Sequence, residues 1–296
     1  MAATILAMVV ACSDDNTPNL LEEGKDHPTG NTNSNVYPED TYAQRMEVPR
    51  LKTGNRFVSH EVTVGGKEVM NYCLEMDPER CHSRWVAFRF DATTRPKNTN
   101  RASSDSFQDD PKLPSSMQVG ADYFGSPYNR GHLCASYDRL FSEEANVQTF
   151  YMSNMSPMEG NFNSYYWVAF EQLAQTKGRN TAFADTLYVC KGGYIDDEED
   201  LFGYIGRRNG LRMAVPGHYF MALLRVKSGN YTSIAFWVDH NCQGYRNGNY
   251  APASVVYDCA LSVDELEAKT GIDFFCNLPD AIENSVEANY NIQSWK

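Results

Sequence analysis

The stretch that decides the reading opens with Asn129-Arg130-Gly131-His132-Leu133 and continues through Asp138-Arg139. It passes a Tyr151-Met152-Ser153-Asn154-Met155-Ser156-Pro157 turn and closes on Asn163-x-x-x-Trp167-x-x-x-Glu171. Hydrolysing a phosphodiester requires a base for water, a cation on the phosphoryl oxygens and a positive group facing the developing charge. The segment holds a candidate for each. A neutral His132 has the range of a general base near neutral pH. Arg130 and, further on, Arg139 carry permanent charge in a fork that suits phosphate oxygens. Asn163 offers an amide oxygen, a ligand that a hard cation such as Mg2+ accepts. Gly131 leaves room for close backbone approach.

Each residue also has a plainer reading. A lone histidine is ordinarily a satisfied structural group, an Asn opening a helix is ordinarily a cap, and a helical Glu is ordinarily a solvated charge. Trp167 reads as core packing, Asn154 as a group bonding its own turn, and Cys134 as a buried strand residue. The order of the four chemical residues together favours the catalytic reading.

Outward from this segment the pattern is α+β with mainly antiparallel pairing. Glu61–Val64, a Gly65-Gly66 turn and Glu68–Leu74 predict a hairpin. Trp85–Phe90 alternates as a strand, and residues 92–118 form a long polar loop. Gly131–Ser136, Thr149–Ser153, Leu187–Cys190, Tyr219–Val226 and Ser233–Val238 read as further strands. Asn163–Thr176 reads as a helix, with Tyr166, Trp167, Phe170, Leu173 and Ala174 at 3.6-residue spacing. On such a helix Glu171 lies within about 80° of Asn163. Val263–Lys269 reads as a short helix between Ser262 and Gly271.

The ordered elements resemble the DNA/RNA non-specific endonuclease family, a ββα-metal group with a D-R-G-H signature, an S-N-x-x-P turn and a helix that begins with a metal-binding Asn. Arg84–Phe88, Val215–Phe220, Val263–Glu267 and Thr270–Phe275 resemble its flanking segments, so the likeness runs from about residue 50 to 280. It implies a ββα-metal nuclease fold with a central, mainly antiparallel sheet flanked by helices. It also implies hydrolysis of DNA and RNA with little sequence preference, leaving 5′-phosphate and 3′-hydroxyl ends. His132 is then the base, Asn163 the ligand of Mg2+ or Mn2+, Arg130 the phosphate contact, and Glu171 a contact of the metal's water shell. Asn129 stands where the family has Asp, a position expected to hold local structure by hydrogen bonds. Gln175 stands where the family has Arg, which leaves Lys177, Arg179 or Arg139 to supply that charge.

Composition sets the frame. The 296 residues are 42% hydrophobic, with 18 Tyr and 15 Phe, enough for one large sheet-rich domain. The formal net charge of −12 argues against affinity built only on non-specific phosphate contacts, while a cleft makes its own field. Residues 13–44 are polar and acidic and read as a disordered tether, with the nuclease domain at 45–296. Residues 1–12 resemble the end of a bacterial lipoprotein signal, with Cys12 as lipid anchor and no Lys or Arg before the apolar run. That implies an extracytoplasmic protein, at a bacterial surface, periplasmic or secreted, touching a membrane only through Cys12. In an oxidising compartment Cys73–Cys81 and Cys242–Cys259 are the pairs to test, with buried free thiols as the alternative. His218 and the Asp239-His240 pair read as strand histidines satisfied by backbone groups, with a different metal site as the alternative. Asp196–Asp200 reads as a solvated loop, since it lacks the glycine-punctuated spacing of a calcium loop. A non-catalytic surface lipoprotein binding glycan or protein, and an inactive nuclease-fold scaffold, are the competing functions.

Overall fold

The computed structural model describes residues 30–120, 124–125, 127–206, 210–241 and 244–296. β1 (Arg56–Val64) and β2 (Lys67–Asp77) form the expected hairpin, joined through Gly65 and Gly66 at φ 58° and 81°. Both turn residues occupy the left-handed region, which a two-residue hairpin turn matching strand twist requires. β3 (His82–Phe90) follows. β4 (Tyr128–His132) and β5 (Met155–Glu159) make a separate antiparallel hairpin, with the short helix α1 (Glu143–Gln148) in its connection. A helical run over residues 160–179 follows, a π-helix at Phe162–Trp167 continuing as α2 (Val168–Arg179). The chain then runs through β6 (Thr186–Gly193), the small pair β7 (Gly203–Ile205) and β8 (Met213–Val215), β9 (His218–Lys227) and β10 (Asn230–Asp239). It ends with α3 (Ala253–Asp258), β11 (Ala260–Leu261), α4 (Val263–Thr270) and α5 (Asp280–Glu287).

The main sheet has seven strands in the order β1-β2-β3-β6-β9-β10-β11, every pairing antiparallel. Side-chain alternation sends each strand into two cores. Val86, Phe88 and Phe90 with Tyr219, Met221 and Leu223 pack against Phe162, Trp167 and Phe170 on one face. Trp85 and Ala87 with Phe220, Ala222 and Leu224 pack against Val263, Leu266, Phe274 and Leu278 on the other. The sheet is therefore covered on both sides, which explains its nearly unbroken burial across β3, β6 and β9.

Several expectations are corrected. The strand expected at 131–136 ends at His132, and 149–153 is not a strand: Phe150 and Met152 are buried in a turn. Asn154 causes this. Its amide accepts from Cys134 N (2.8 Å) and donates to Cys134 O (2.9 Å) and Thr149 O (2.7 Å), folding the chain around itself. Residues 30–44 are docked on the domain rather than free of it, with Asn35 and Ala43 buried and several of the others exposed. Asn35, 2% exposed, donates to Ala43 O and Pro49 O, and Asn31 donates to Cys276 O and Leu278 O. Amide hydrogen bonds hold this segment, and a hydropathy pattern does not register them. The rest of the expected tether, 13–29, and Cys12 lie outside the described residues. The Cys73–Cys81 pair does not form: both are free thiols, buried in different clusters. Cys259 is likewise free, and Cys242 lies outside the described residues.

Candidate active site

β4 and β5 pair with Gly131 opposite Ser156 and His132 opposite Met155. Gly131 is required here by packing: a Cβ would stand 2.3 Å from Met158 Sδ and 2.4 Å from its Cγ. His132 ends the strand 9% exposed, between the rings of Phe107 (centroids 5.8 Å apart) and Phe150 (5.1 Å). Its Nε2 is buried and has no hydrogen-bond partner. Burial, reinforced by the charges of Arg101, Lys191 and Arg130, pushes the imidazole down to about 3. The ring is thereby kept neutral, with an unsatisfied nitrogen.

Two guanidinium groups frame it. Arg130 lies 4.1 Å over Phe107, and the exposed Arg101 lies 5.0 Å over Phe150. These contacts hold cations against ring faces and leave N–H groups for an incoming anion. Lys191 is fully buried and paired with the equally buried Asp138 at 2.9 Å.

The helical run supplies the remaining residues. Glu159 caps it: its Oε2 accepts from Asn161 N (2.8 Å) and Phe162 N (2.9 Å). Asn163 is therefore not the cap, and its half-exposed amide has no hydrogen-bond partner among the described residues. Inside the π-helix Phe162 and Trp167, five residues apart, stack on each other at 6.0 Å and both pack on Tyr219. Two α-turns take about 7.2 residues, and making one of them a π-turn adds about one. Eight residues then close two turns, so Asn163 and Glu171 share a face. Burial pushes the Glu171 carboxyl up to about 7, against the pull of Lys191 and with Asp138 adding to the rise, while Arg101 opposes it. His132 and Glu171 thus have Arg101 and Lys191 as common electrostatic neighbours.

Other expected site residues are placed elsewhere. Arg139 is fully buried, donates to Asp138 O, Asn71 O and Arg89 O, and lies over Phe88 and Phe90. It satisfies carbonyls in the core and cannot reach a phosphate. Asn129 is exposed and makes no side-chain hydrogen bond among the described residues, and Asn154 ties the end of this hairpin through Cys134. Lys177 binds Lys296 O, and Arg179 binds Tyr137 O while lying over Phe90. His240 is engaged at both nitrogens, by Pro216 O and Glu159 N, and His218 pairs with Asp200, so they form no joint metal site. In the acidic run 196–200, Asp196 pairs with Lys52 and Arg84, Glu198 with Arg80 and Asp200 with His218, while the exposed Asp197 accepts from Glu199 N and Glu199 faces solvent. Arg101, Phe107 and Lys191 join the site from outside the motif segments. Lys191 alone left a signal, a lysine directly after the apolar strand Leu187–Cys190.

A histidine-bearing hairpin that runs into a helix with an amide and a carboxylate, set on a large antiparallel sheet, defines the ββα nuclease fold. The chain belongs to the DNA/RNA non-specific endonuclease family, whose model matches residues 53–281. Among its relatives, the mitochondrial Nuclease 1 of Schizosaccharomyces pombe is 34% identical over 189 residues, 61% of this chain and 56% of that protein. The mitochondrial Endonuclease G of Bos taurus is 28% identical over 182 residues, 59% of each chain. Nuclease C1 of Cunninghamella echinulata is 35% identical over 129 residues, 42% of this chain and 50% of that protein. A crystal structure of the EndoG/EndoGI complex has the same fold, with TM-score 0.58 and 24% identity over 75% of this chain and 87% of that one. The chain spans somewhat over half the length of the first two relatives. Relatives whose names state a compartment are mitochondrial, which overturns the expected bacterial surface, periplasmic or secreted location. None of the relatives named here is a glycan- or protein-binding lipoprotein, and that alternative is dropped.

Proposed function

We propose that this chain is a divalent-cation-dependent endonuclease that hydrolyses DNA and RNA with little sequence preference. The observation that carries the reading is His132: a neutral imidazole with an unpartnered Nε2, set between Arg101 and Arg130 on the ββα hairpin. Nε2 takes the proton of the attacking water: burial and three nearby cations keep the ring neutral and weakly basic at rest, and a phosphate anion entering beside Arg101 and Arg130 offsets those charges and raises its basicity. Arg130 and Arg101, steadied on Phe107 and Phe150, receive the phosphate oxygens.

The donor set fits a hard cation. Asn163 presents an amide oxygen with no structural task, and Glu171 adds a carboxylate on the same face. Mg2+ or Mn2+ bound there supplies Lewis-acid stabilisation of charge on the phosphate and the departing 3′ oxygen. The test is digestion of plasmid DNA and RNA by purified protein with Mg2+ or Mn2+ and with chelator. Cleavage leaving 5′-phosphates is expected, chelator stops it, and His132→Ala lowers the rate at least about a hundredfold. No cleavage with either metal anywhere between about pH 6 and 9 refutes the reading.

A further inference from the structure

On the sheet face opposite the His132 hairpin, α4 and α5 bring Asp264, Glu267 and Glu287 together. One carboxylate oxygen from each lies within 4.8 Å of the others. Asp264 is exposed and Glu267 half-buried, whereas Glu287 is only 4% exposed. Its Oε1 is sealed from solvent and has no hydrogen-bond partner. Asp273 and Glu283, joined through the Asn33 amide, crowd the same group. Among the described residues no Lys, Arg or His forms an ion pair with Asp264, Glu267, Glu283 or Glu287.

A buried carboxylate without a partner is costly, and neighbouring carboxylates raise the cost. Glu287 is also the last residue of α5, where the helix dipole turns its negative end outward. A proton answers both facts when no cation is present, and a divalent cation held by the three converging oxygens would replace it. We propose that Asp264, Glu267 and Glu287 form a second divalent-cation site, of the calcium type and separate from the nuclease site, which ties α4 to α5. Calcium suits the set because it accepts six to eight oxygens in loose geometry, completing its shell with water or carbonyls, whereas Mg2+ demands a near-ideal octahedron. The site goes beyond the nuclease reading and stands without it.

The test uses the full chain stripped with chelator and carrying Asn163→Ala, so that the nuclease site holds no cation. Calorimetric titration with CaCl2 is expected to give one binding event per chain. The Tm is expected to rise by roughly 5–10 °C at a hundredfold excess over Kd. Adding Glu267→Gln or Glu287→Gln removes both responses. Without calcium, Glu287→Gln is about as stable as its parent, because Gln replaces a buried carboxyl that its acidic neighbours already keep protonated, which distinguishes a lost site from a misfolded chain. In the wild-type background the same two changes leave Mg2+-supported DNA cleavage unaltered. No calcium heat from the Asn163→Ala protein, or heat that survives Glu267→Gln with Glu287→Gln, overturns the proposal.

Discussion

Gly131→Ala is the most direct probe of why the catalytic hairpin has its sequence. The φ of Gly131 is not positive, so alanine meets no backbone strain there. What it meets is Met158 on the facing strand, with Sδ at 2.3 Å, Cγ at 2.4 Å and Cβ at 2.9 Å from the new methyl. Met158 is fully buried, and with its own Cβ among the clashing atoms a rotamer change cannot relieve the contact. Overpacking of this kind costs roughly 1–3 kcal/mol, or a Tm loss of roughly 2–12 °C in a domain of this size. Met158→Ala alone leaves a cavity and costs roughly 2–5 kcal/mol. The double variant removes the clash, so its loss should fall short of the sum of the singles by about 1–3 kcal/mol. Denaturant unfolding of all four proteins measures that coupling, and plasmid cleavage gives a second reading. If Gly131 serves Met158, the double variant recovers activity lost in Gly131→Ala. Additive stability losses, or a double variant as inactive as the single, refute the packing argument and return Gly131 to close approach by substrate.

Three further outcomes follow from the same geometry. His132 is pushed down to about 3 in the folded chain, against 6.5 unfolded, so its contribution to stability is complete above 6.5 and is lost as pH falls toward 3. Its ring resonance in NMR should stay flat between about pH 8 and 5, and a titration near the ordinary value contradicts the sealed environment. Lys191→Met strands the buried Asp138 carboxylate and should cost roughly 3–5 kcal/mol, most of it restored by adding Asp138→Asn; an unrestored loss in thermal unfolding argues against the pair. Because Cys73, Cys81, Cys134, Cys190, Cys259 and Cys276 are free, reductant should leave the Tm unchanged and denatured protein should titrate at least these six thiols without it.

Local spacing made the hairpin turn, the strands β3, β6, β9 and β10, and the residues 129–133 and 163–171 legible, since each rests on neighbours within one element. The charges were harder to assign. Arg139 and Lys191 are both cations near the motif, and nothing local tells them from a phosphate contact. Arg139 is buried because it answers the carbonyls of Asn71 and Arg89, distant in sequence, and Lys191 because it answers Asp138 across the core. The acidic residues divide in the same way. The run 196–200 is conspicuous in sequence, yet Asp196, Glu198 and Asp200 are taken by Lys52, Arg84, Arg80 and His218, whereas Asp264, Glu267 and Glu287 meet only when two helices pack.

The helix of the site shows why periodicity alone misplaces chemistry. At 3.6 residues per turn, Asn163 and Glu171 diverge by about 80°, too far to address one small ion squarely. That divergence assumes a regular helix, and the core does not permit one. Phe162 and Trp167, five apart, would lie about 140° apart on an α-helix, yet both are fully buried against Tyr219. Only the wider turn lets both rings face inward, and the residue it absorbs is the one that brings Glu171 round beneath Asn163. The aromatic packing under the sheet therefore sets the angle between the amide and the carboxylate above it. Replacing Trp167 with a small residue should release the π-turn, returning the helix to α geometry. The cation affinity read by calorimetry should then fall while Asn163 and Glu171 remain intact. An unchanged affinity would mean that the two side chains find each other without help from the core.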